Sequence, residues 1–211
     1  MILRLIALLI FMALTLSSCR HRETFSRDDG DSTFLRDDKT LYQSCLLCHS
    51  NKEMQRGPVL DGMESWYILD QLKKFKNGQR GRDPKNRAEF LMAASMARVR
   101  DDHEMLRVAD YIGNLKPKDS ITTIKGDIDR GKKLYSSCIG CHGAKGEGRQ
   151  DVKAPALLVQ EDWFLLDQLR KYRNGLRGTH PEDIFGRVMV ESIRDWSDKD
   201  LKDVTVYINS L

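Results

Sequence analysis

Beyond residue 40, apolar residues recur every three or four positions in short stretches separated by polar turns, a spacing that predicts helices. Trp66, Leu69, Leu72 and Phe75 fall on one face of such a helix. Asn77-Gly78 ends it, since glycine suits the left-handed backbone of a helix C-terminus. Trp163, Leu166, Leu169 and Tyr172 repeat the face, and Asn174-Gly175 repeats the stop. Near the C-terminus, Ser197 opens a helix with Asp200 three residues on, an approximate capping box. Its buried face is expected to be Leu201, Val204, Ile208 and Leu211; Met105, Val108, Ile112 and Leu115 mirror it earlier in the chain. No period-two alternation of useful length occurs, so the expected fold is all-α.

The echoes are a tandem duplication. Leu41-Tyr42-Gln43-Ser44-Cys45-Leu46-Leu47-Cys48-His49 aligns with Leu134-Tyr135-Ser136-Ser137-Cys138-Ile139-Gly140-Cys141-His142 at an offset of 93. The Trp66 and Trp163 helices align at 97, and Tyr111-Ile112 aligns with Tyr207-Ile208 at 96. A longer loop after His142, holding Lys145-Gly146-Glu147-Gly148, absorbs the drift. Two copies are too few for a solenoid, so two small domains are expected, at residues 34–116 and 126–211, joined by a linker over 117–125.

The N-terminus reads differently. Arg4 precedes an unbroken apolar run from Leu5 to Leu14, short for a membrane span and suited to a secretory signal over residues 1–18. Leu16-Ser17-Ser18-Cys19 resembles a bacterial lipobox, in which Cys19 becomes the lipid-bearing first residue of the mature chain; an ordinary cleaved signal beside a free Cys is the alternative. Several acyl chains on one residue anchor stably where one chain does not. Residues 19–33 are polar and read as a tether. The expected location is therefore the periplasmic side of a bacterial membrane.

Composition narrows the classes further. The chain has 211 residues, 40% hydrophobic and 31% charged, with a formal net charge of +4, which excludes a disordered chain and a polytopic membrane protein. So small a positive surplus does not point to nucleic acid. Residues 41–116 carry 13 basic and 10 acidic side chains and residues 117–211 carry 16 and 15, so copy one is slightly the more basic. Lys73, Lys74, Lys76, Arg80 and Arg82 in copy one form either a docking face for an acidic partner or the solvated side of an amphipathic helix. Domains this small often need a bound cofactor to complete a core.

Four of the five cysteines supply that chemistry. Cys45-x-x-Cys48-His49 and Cys138-x-x-Cys141-His142 are c-type haem attachment motifs, and the fifth is Cys19. Thiols at i and i+3 of a helical turn reach two vinyl groups on one porphyrin edge, and the adjacent imidazole projects under the ring to bind iron. One such motif is expected by chance about 0.003 times per chain of this composition, and here two occupy matching repeat positions. Zinc would need ligands from two distant motifs, and a thioredoxin-like pair would need a βαβ context.

Iron held by His49 or His142 needs a sixth ligand or keeps an open position. Met189 is the lone methionine of copy two and precedes the final helix. Copy one offers Met54, Met63, Met92, Met96 and Met105; Met92 sits at offset 97 from Met189 and is the expected ligand, with Met96 its competitor and core packing the other role for either. His103 and His180 lie in polar surroundings and read as surface residues. Arg80 and Arg177 keep repeat register and either fork onto haem propionates or are solvated.

The paired CxxCH and Met pattern resembles the dihaem class I cytochromes c, in particular the cytochrome c4 type, across residues 34–211. The resemblance implies two small helical domains, each with one His/Met haem: Cys45, Cys48, His49 and Met92 for one, Cys138, Cys141, His142 and Met189 for the other. It also implies that Pro58 and Pro155 hold the ring N–H of the two histidines through their carbonyls. Gly131 and Tyr135 match positions where the first helix crosses the last, and copy one departs with Asp38 in place of Gly131, which implies a looser crossing there. Two strong axial ligands suit one-electron carriage and leave little room for catalysis. The expected function is a lipid-anchored electron carrier between respiratory partners such as a quinol–cytochrome c reductase, a terminal oxidase or a dehydrogenase. A fixed haem subunit of such a complex and, further off, a dihaem peroxidase are the alternatives.

Overall fold

The computed structural model describes residues 37–50, 57–118 and 122–211, so the signal segment, Cys19 and the tether lie outside the described residues. Copy one is built from α1 (Asp38–His49), α2 (Ser65–Lys76), α3 (Arg87–Ser95) and α4 (Asp102–Gly113), with a short 3₁₀ turn, Met96–Arg98, after α3. Copy two follows with α5 (Ile128–Tyr135), α6 (Ile139–His142), a 3₁₀ turn at Gln150–Val152, α7 (Asp162–Arg173), α8 (Ile184–Ile193) and α9 (Asp198–Ile208). Among the described residues there is no strand, only an isolated bridge between Arg149 and Ala154.

The helix boundaries follow from side chains the sequence supplies. Asp37, Asp101 and Asp127 each accept a bond from the backbone N–H three residues on, satisfying a donor that the first helical turn leaves free. Ser197 and Asp200 form a complete capping box at the start of α9. At the other ends, α2 and α7 stop at Asn77 and Asn174, and Gly78 and Gly175 follow at φ +70° and +67°.

In each copy the last helix lies across the first. Tyr42 and Tyr111 meet at 5.6 Å between ring centroids in copy one, and Tyr135 and Tyr207 at 5.4 Å in copy two, with nearly the same tilt of 52° and 54°. The crossing in copy two depends on Gly131: a Cβ there would run into the backbone carbonyl of Asp203 on α9. In copy one Asp38 stands at this position and its carboxylate instead pairs with Arg107 of α4 at 2.6 Å, so the same crossing is held by charge at its edge.

Copy one's core gathers Leu41, Tyr42, Met63, Ile68, Val108 and Ile112, with Phe75, Met96 and Met105 as a second cluster. Copy two's core gathers Tyr135, Leu165, Leu166, Leu169, Leu201, Val204 and Ile208. Each fully buried side chain of this size contributes about 1.5–3 kcal/mol. Two details differ from the periodic reading. Leu211 falls beyond the end of α9 and is exposed, because the helix stops at Ile208. On α2 the deepest residues are Ile68 and Phe75, while Trp66, Leu69 and Leu72 are half-buried; that helix turns its Trp–Leu–Leu edge only partly into the protein core.

Candidate functional site

The attachment motifs sit at the same place in both copies but on different local backbone. In copy one α1 runs unbroken through Cys45, Cys48 and His49. In copy two α5 ends at Tyr135, and a fresh turn, α6, carries Cys141 and His142, with Cys138 at its N-cap. None of these four cysteines is in a disulfide; Cys48 and Cys141 are exposed, and Cys45 and Cys138 are half-buried against the cores. Burial pushes the Cys138 thiol up, despite a hydrogen bond from Ser137 that lowers it.

Each histidine ring is held by a proline carbonyl. The distance from His49 Nδ1 to the Pro58 carbonyl oxygen is 2.8 Å, and from His142 Nδ1 to that of Pro155 it is 3.0 Å. Nδ1 therefore carries the proton and donates, which leaves the lone pair of Nε2 free for a metal. Burial lowers both rings below the ordinary histidine value, outweighing the proline bond that raises them. Both are neutral near pH 7, the state in which imidazole ligates. In copy one the loop lies flat on the ring: a Cβ at Gly57 would come within 2.6 Å of His49 Cε1.

The two methionine candidates of copy one separate cleanly. Met96 is 3% exposed and packs with Phe75 and Met105, and its counterpart in copy two at offset 97 is Ile193, itself 2% exposed. Met92 and Met189 are both half-buried at the rim of their cores, on α3 and α8. Met96 occupies an aliphatic core position, and Met92 shares the situation of Met189. Two cysteines one turn apart, an imidazole oriented through Nδ1 and a half-buried thioether on a separate helix are together a fitting donor set for one covalent haem in each copy. His103 is exposed on α4 and His180 lies in a loop where its Nδ1 accepts from the Glu182 N–H, both away from these sets.

Arg80 and Arg177 are not solvated. They meet in a network between the copies, where Arg177 donates to Gln168 (2.7 Å), Gln71 (3.0 Å) and the Tyr67 hydroxyl (3.1 Å). Arg80 donates to Gln71 (2.7 Å), Gln168 (2.7 Å) and Glu89 (2.6 Å). Asp70 and Asp167 accept from the amide nitrogens of Gln71 and Gln168, which turns both amide oxygens toward the guanidinium groups. Each arginine also stacks on the aromatic ring five residues before it, Phe75 or Tyr172, at 4.6 Å. The guanidinium groups are thus engaged within the protein; among the described residues only Arg80 Nε and Glu89 Oε2 of this network lack a partner. Burial raises the Glu89 carboxyl, but Arg80, Arg177 and Lys171 overcome that and hold it at about 2. The Tyr67 hydroxyl is likewise lowered, its burial outweighed by Arg177 and Arg80.

This network takes two residues, Lys74 and Arg80, out of the basic group that copy one offers. Lys74 is bound to Asp70 and, across the interface, to Asp183, each at 2.9 Å. Lys76 donates to the carbonyls of Val99 and Arg100. Of the five residues, Lys73, Lys76 and Arg82 are exposed and make none of these inter-copy bonds. Sequence reading passed over Glu64 and Glu161, which stand one repeat apart at offset 97 and reach across the interface to the backbone of the opposite copy. Their matching register was the available sign.

Comparison with known proteins agrees with this geometry. The cytochrome c family model matches twice, at residues 37–116 and 128–211. The chain is 27% identical over 179 residues to cytochrome c4 of Azotobacter vinelandii, covering 79% of this chain and 84% of that one. It is 26% identical over 179 residues to the thiosulfate dehydrogenase electron acceptor of Stutzerimonas stutzeri, covering 78% and 77%. Among solved structures, reduced recombinant cytochrome c4 from Pseudomonas stutzeri superposes with a TM-score of 0.63 at 23% identity, over 82% of this chain and 96% of that one, a likeness of fold.

Proposed function

The chain belongs to the cytochrome c family, as two tandem domains that bind two covalent haem c groups, and on that premise we propose that it carries single electrons between redox partners on the periplasmic side of a bacterial membrane. In this reading Cys45, Cys48, His49 and Met92 hold one haem, and Cys138, Cys141, His142 and Met189 hold the other. The domains are residues 34–116 and 126–211, and Cys19 bears the lipid that keeps the protein at the membrane.

The observation that supports this most is the pair of proline-held histidines. His142 is buried and His49 half-buried, and each ring is neutral and donates through Nδ1, which leaves Nε2 to ligate. A haem held by His49 and Met92, or by His142 and Met189, would supply a one-electron ferric–ferrous couple. The chain's own contribution is to fix the imidazole tautomer through the proline carbonyls and to supply one half-buried thioether in each copy. We read the protein as a carrier without an activity of its own, since two strong axial ligands suit one-electron carriage. Among the described residues no helix is long and apolar enough to cross a membrane. The Stutzerimonas relative is named as the electron acceptor of a thiosulfate dehydrogenase, and a periplasmic dehydrogenase, a quinol–cytochrome c reductase or a terminal oxidase is the class of partner this reading implies.

The test is ligation. The exported protein should carry two haems by mass and, when reduced, bind no carbon monoxide at either iron. Met92→Leu and Met189→Leu should each open one iron to carbon monoxide and weaken the long-wavelength sulfur-to-iron band, while Met96→Leu should leave both unaffected. Carbon monoxide binding by the unaltered protein would refute closed His/Met ligation and favour a haem enzyme.

A further inference from the structure

The proline carbonyl that holds each histidine belongs to a peptide group with a second polar end. The Pro58 C=O and the Val59 N–H are one amide, as are the Pro155 C=O and the Ala156 N–H. Val59 N–H donates to Glu161 Oε2 at 2.9 Å, and Ala156 N–H donates to Glu64 Oε2 at 2.8 Å. Glu161 belongs to copy two and Glu64 to copy one, so each carboxylate acts on the histidine-holding peptide of the other copy. The two residues are N-cap positions of α7 and α2, yet neither side chain caps its own helix. Glu64 is further pinned by the indole N–H of Trp66 at 3.0 Å on its other oxygen.

Resting on the ligand assignment proposed above, we propose that Glu161 and Glu64 are positioning residues that tune the iron of the opposite domain, each through one peptide group and one histidine. A carboxylate that accepts from an amide N–H draws electron density along the amide onto its carbonyl oxygen, and hydrogen bonds in series reinforce one another by about 10–30%. The stronger carbonyl acceptor pulls harder on the Nδ1–H, and the imidazole becomes a more basic ligand. A more basic ligand favours ferric over ferrous iron and lowers the potential. The relay runs from Glu161 through Val59 N–H and Pro58 C=O to His49 Nδ1–H. Its mirror runs from Glu64 through Ala156 N–H and Pro155 C=O to His142 Nδ1–H. Docking of the two domains therefore sets the potentials of both haems, a property that neither domain has alone.

The experiment uses the full-length protein with both haems, as the wild type and as Glu161→Gln and Glu64→Gln. Glutamine keeps the shape and a neutral acceptor while removing the charge that drives polarisation. Two readouts are taken: the two reduction potentials by spectroelectrochemistry, and the Nδ1–H resonances of His49 and His142 in the reduced, diamagnetic protein labelled with ¹⁵N-histidine. Glu161→Gln should shift the reduction equilibrium of the copy-one haem toward ferrous by about three- to tenfold, tenfold being about 59 mV for one electron. It should move the His49 Nδ1–H proton upfield and leave His142 in place; Glu64→Gln should do the reverse. A shift at the haem of the variant's own copy, or no shift at either, overturns the relay. Equal shifts at both haems that vanish in high salt assign the effect to bare charge and also overturn it. Loss of the sulfur-to-iron band in the wild type would instead overturn the ligand assignment.

Discussion

Glu89 is the sharpest test of how the two domains hold together. Its carboxylate is 3% exposed, bonded to Arg80 of its own copy and 3.6 Å from Lys171 of the other, with Arg177 adding its charge from the same side. These cations hold it at about 2, against 4.5 for an ordinary glutamate. At about 1.4 kcal/mol per pH unit, that difference makes the ionised carboxylate worth about 3 kcal/mol to the folded, docked protein. The folded value is depressed, so this stability is fully present above pH 4.5 and is lost as the pH falls toward 2. Glu89→Gln keeps the volume but leaves two arginines and a lysine without their shared anion, and breaking such a buried pair costs about 3–5 kcal/mol. We expect urea unfolding of the haem-loaded variant at pH 7 to show a loss of about 3 kcal/mol. The gap should shrink by somewhat more than half at pH 3, where the wild type has itself lost that share of the contribution. A loss under about 1 kcal/mol at pH 7, or a gap that persists unchanged at pH 3, would show that Glu89 does not anchor the cation cluster.

Two further outcomes are expected. Gly131→Ala should lower the urea midpoint by the equivalent of about 1–3 kcal/mol, because its methyl group meets the Asp203 carbonyl and α5 must move off α9; an unchanged midpoint would mean the crossing is not close-packed there. Cys19→Ser should leave unprocessed precursor or release the protein from the membrane fraction after export, and undiminished membrane retention would point to attachment by a protein partner.

Much of the fold is written locally. The Asn-Gly stops, the Ser197–Asp200 box and the buried faces of α4 and α9 depend on neighbours within one or two helical turns, and they stand at the expected residues except where Leu115 and Leu211 fall beyond the helix ends. The family match and the two-domain fold agree with what the paired motifs imply. The proline-held histidines were implied by the resemblance alone, and the hydrogen bonds are there. The interface was not legible, because its members read one at a time as ordinary surface residues. Arg80, Gln71 and Lys74 carry no mark that distinguishes a solvated side chain from one facing a second domain. Charge counting failed at Lys74 for the same reason: its partner Asp183 lies more than a hundred residues away.

The repeat register does carry that information when both copies are considered together. A tandem duplicate whose halves dock about an approximate two-fold axis brings residue i of one copy to residue j of the other, and j to i, as in an isologous dimer. Gln71 with Arg177 and Gln168 with Arg80 obey that rule, as do Glu64 with Ala156 and Glu161 with Val59. The departures are compensated. Tyr67, which bonds Arg177, stands in register with Phe164, which has no hydroxyl; Arg80 takes Glu89 instead. Glu89 stands in register with Gly186, and the anion facing Lys74 is supplied three residues earlier by Asp183, in register with Asn86. Each domain thus presents one carboxylate to a lysine of the other, shifted by about one helical turn. Exchanges of this kind keep the number of charges in the interface while changing their placement, and they make the surroundings of the two sites unequal.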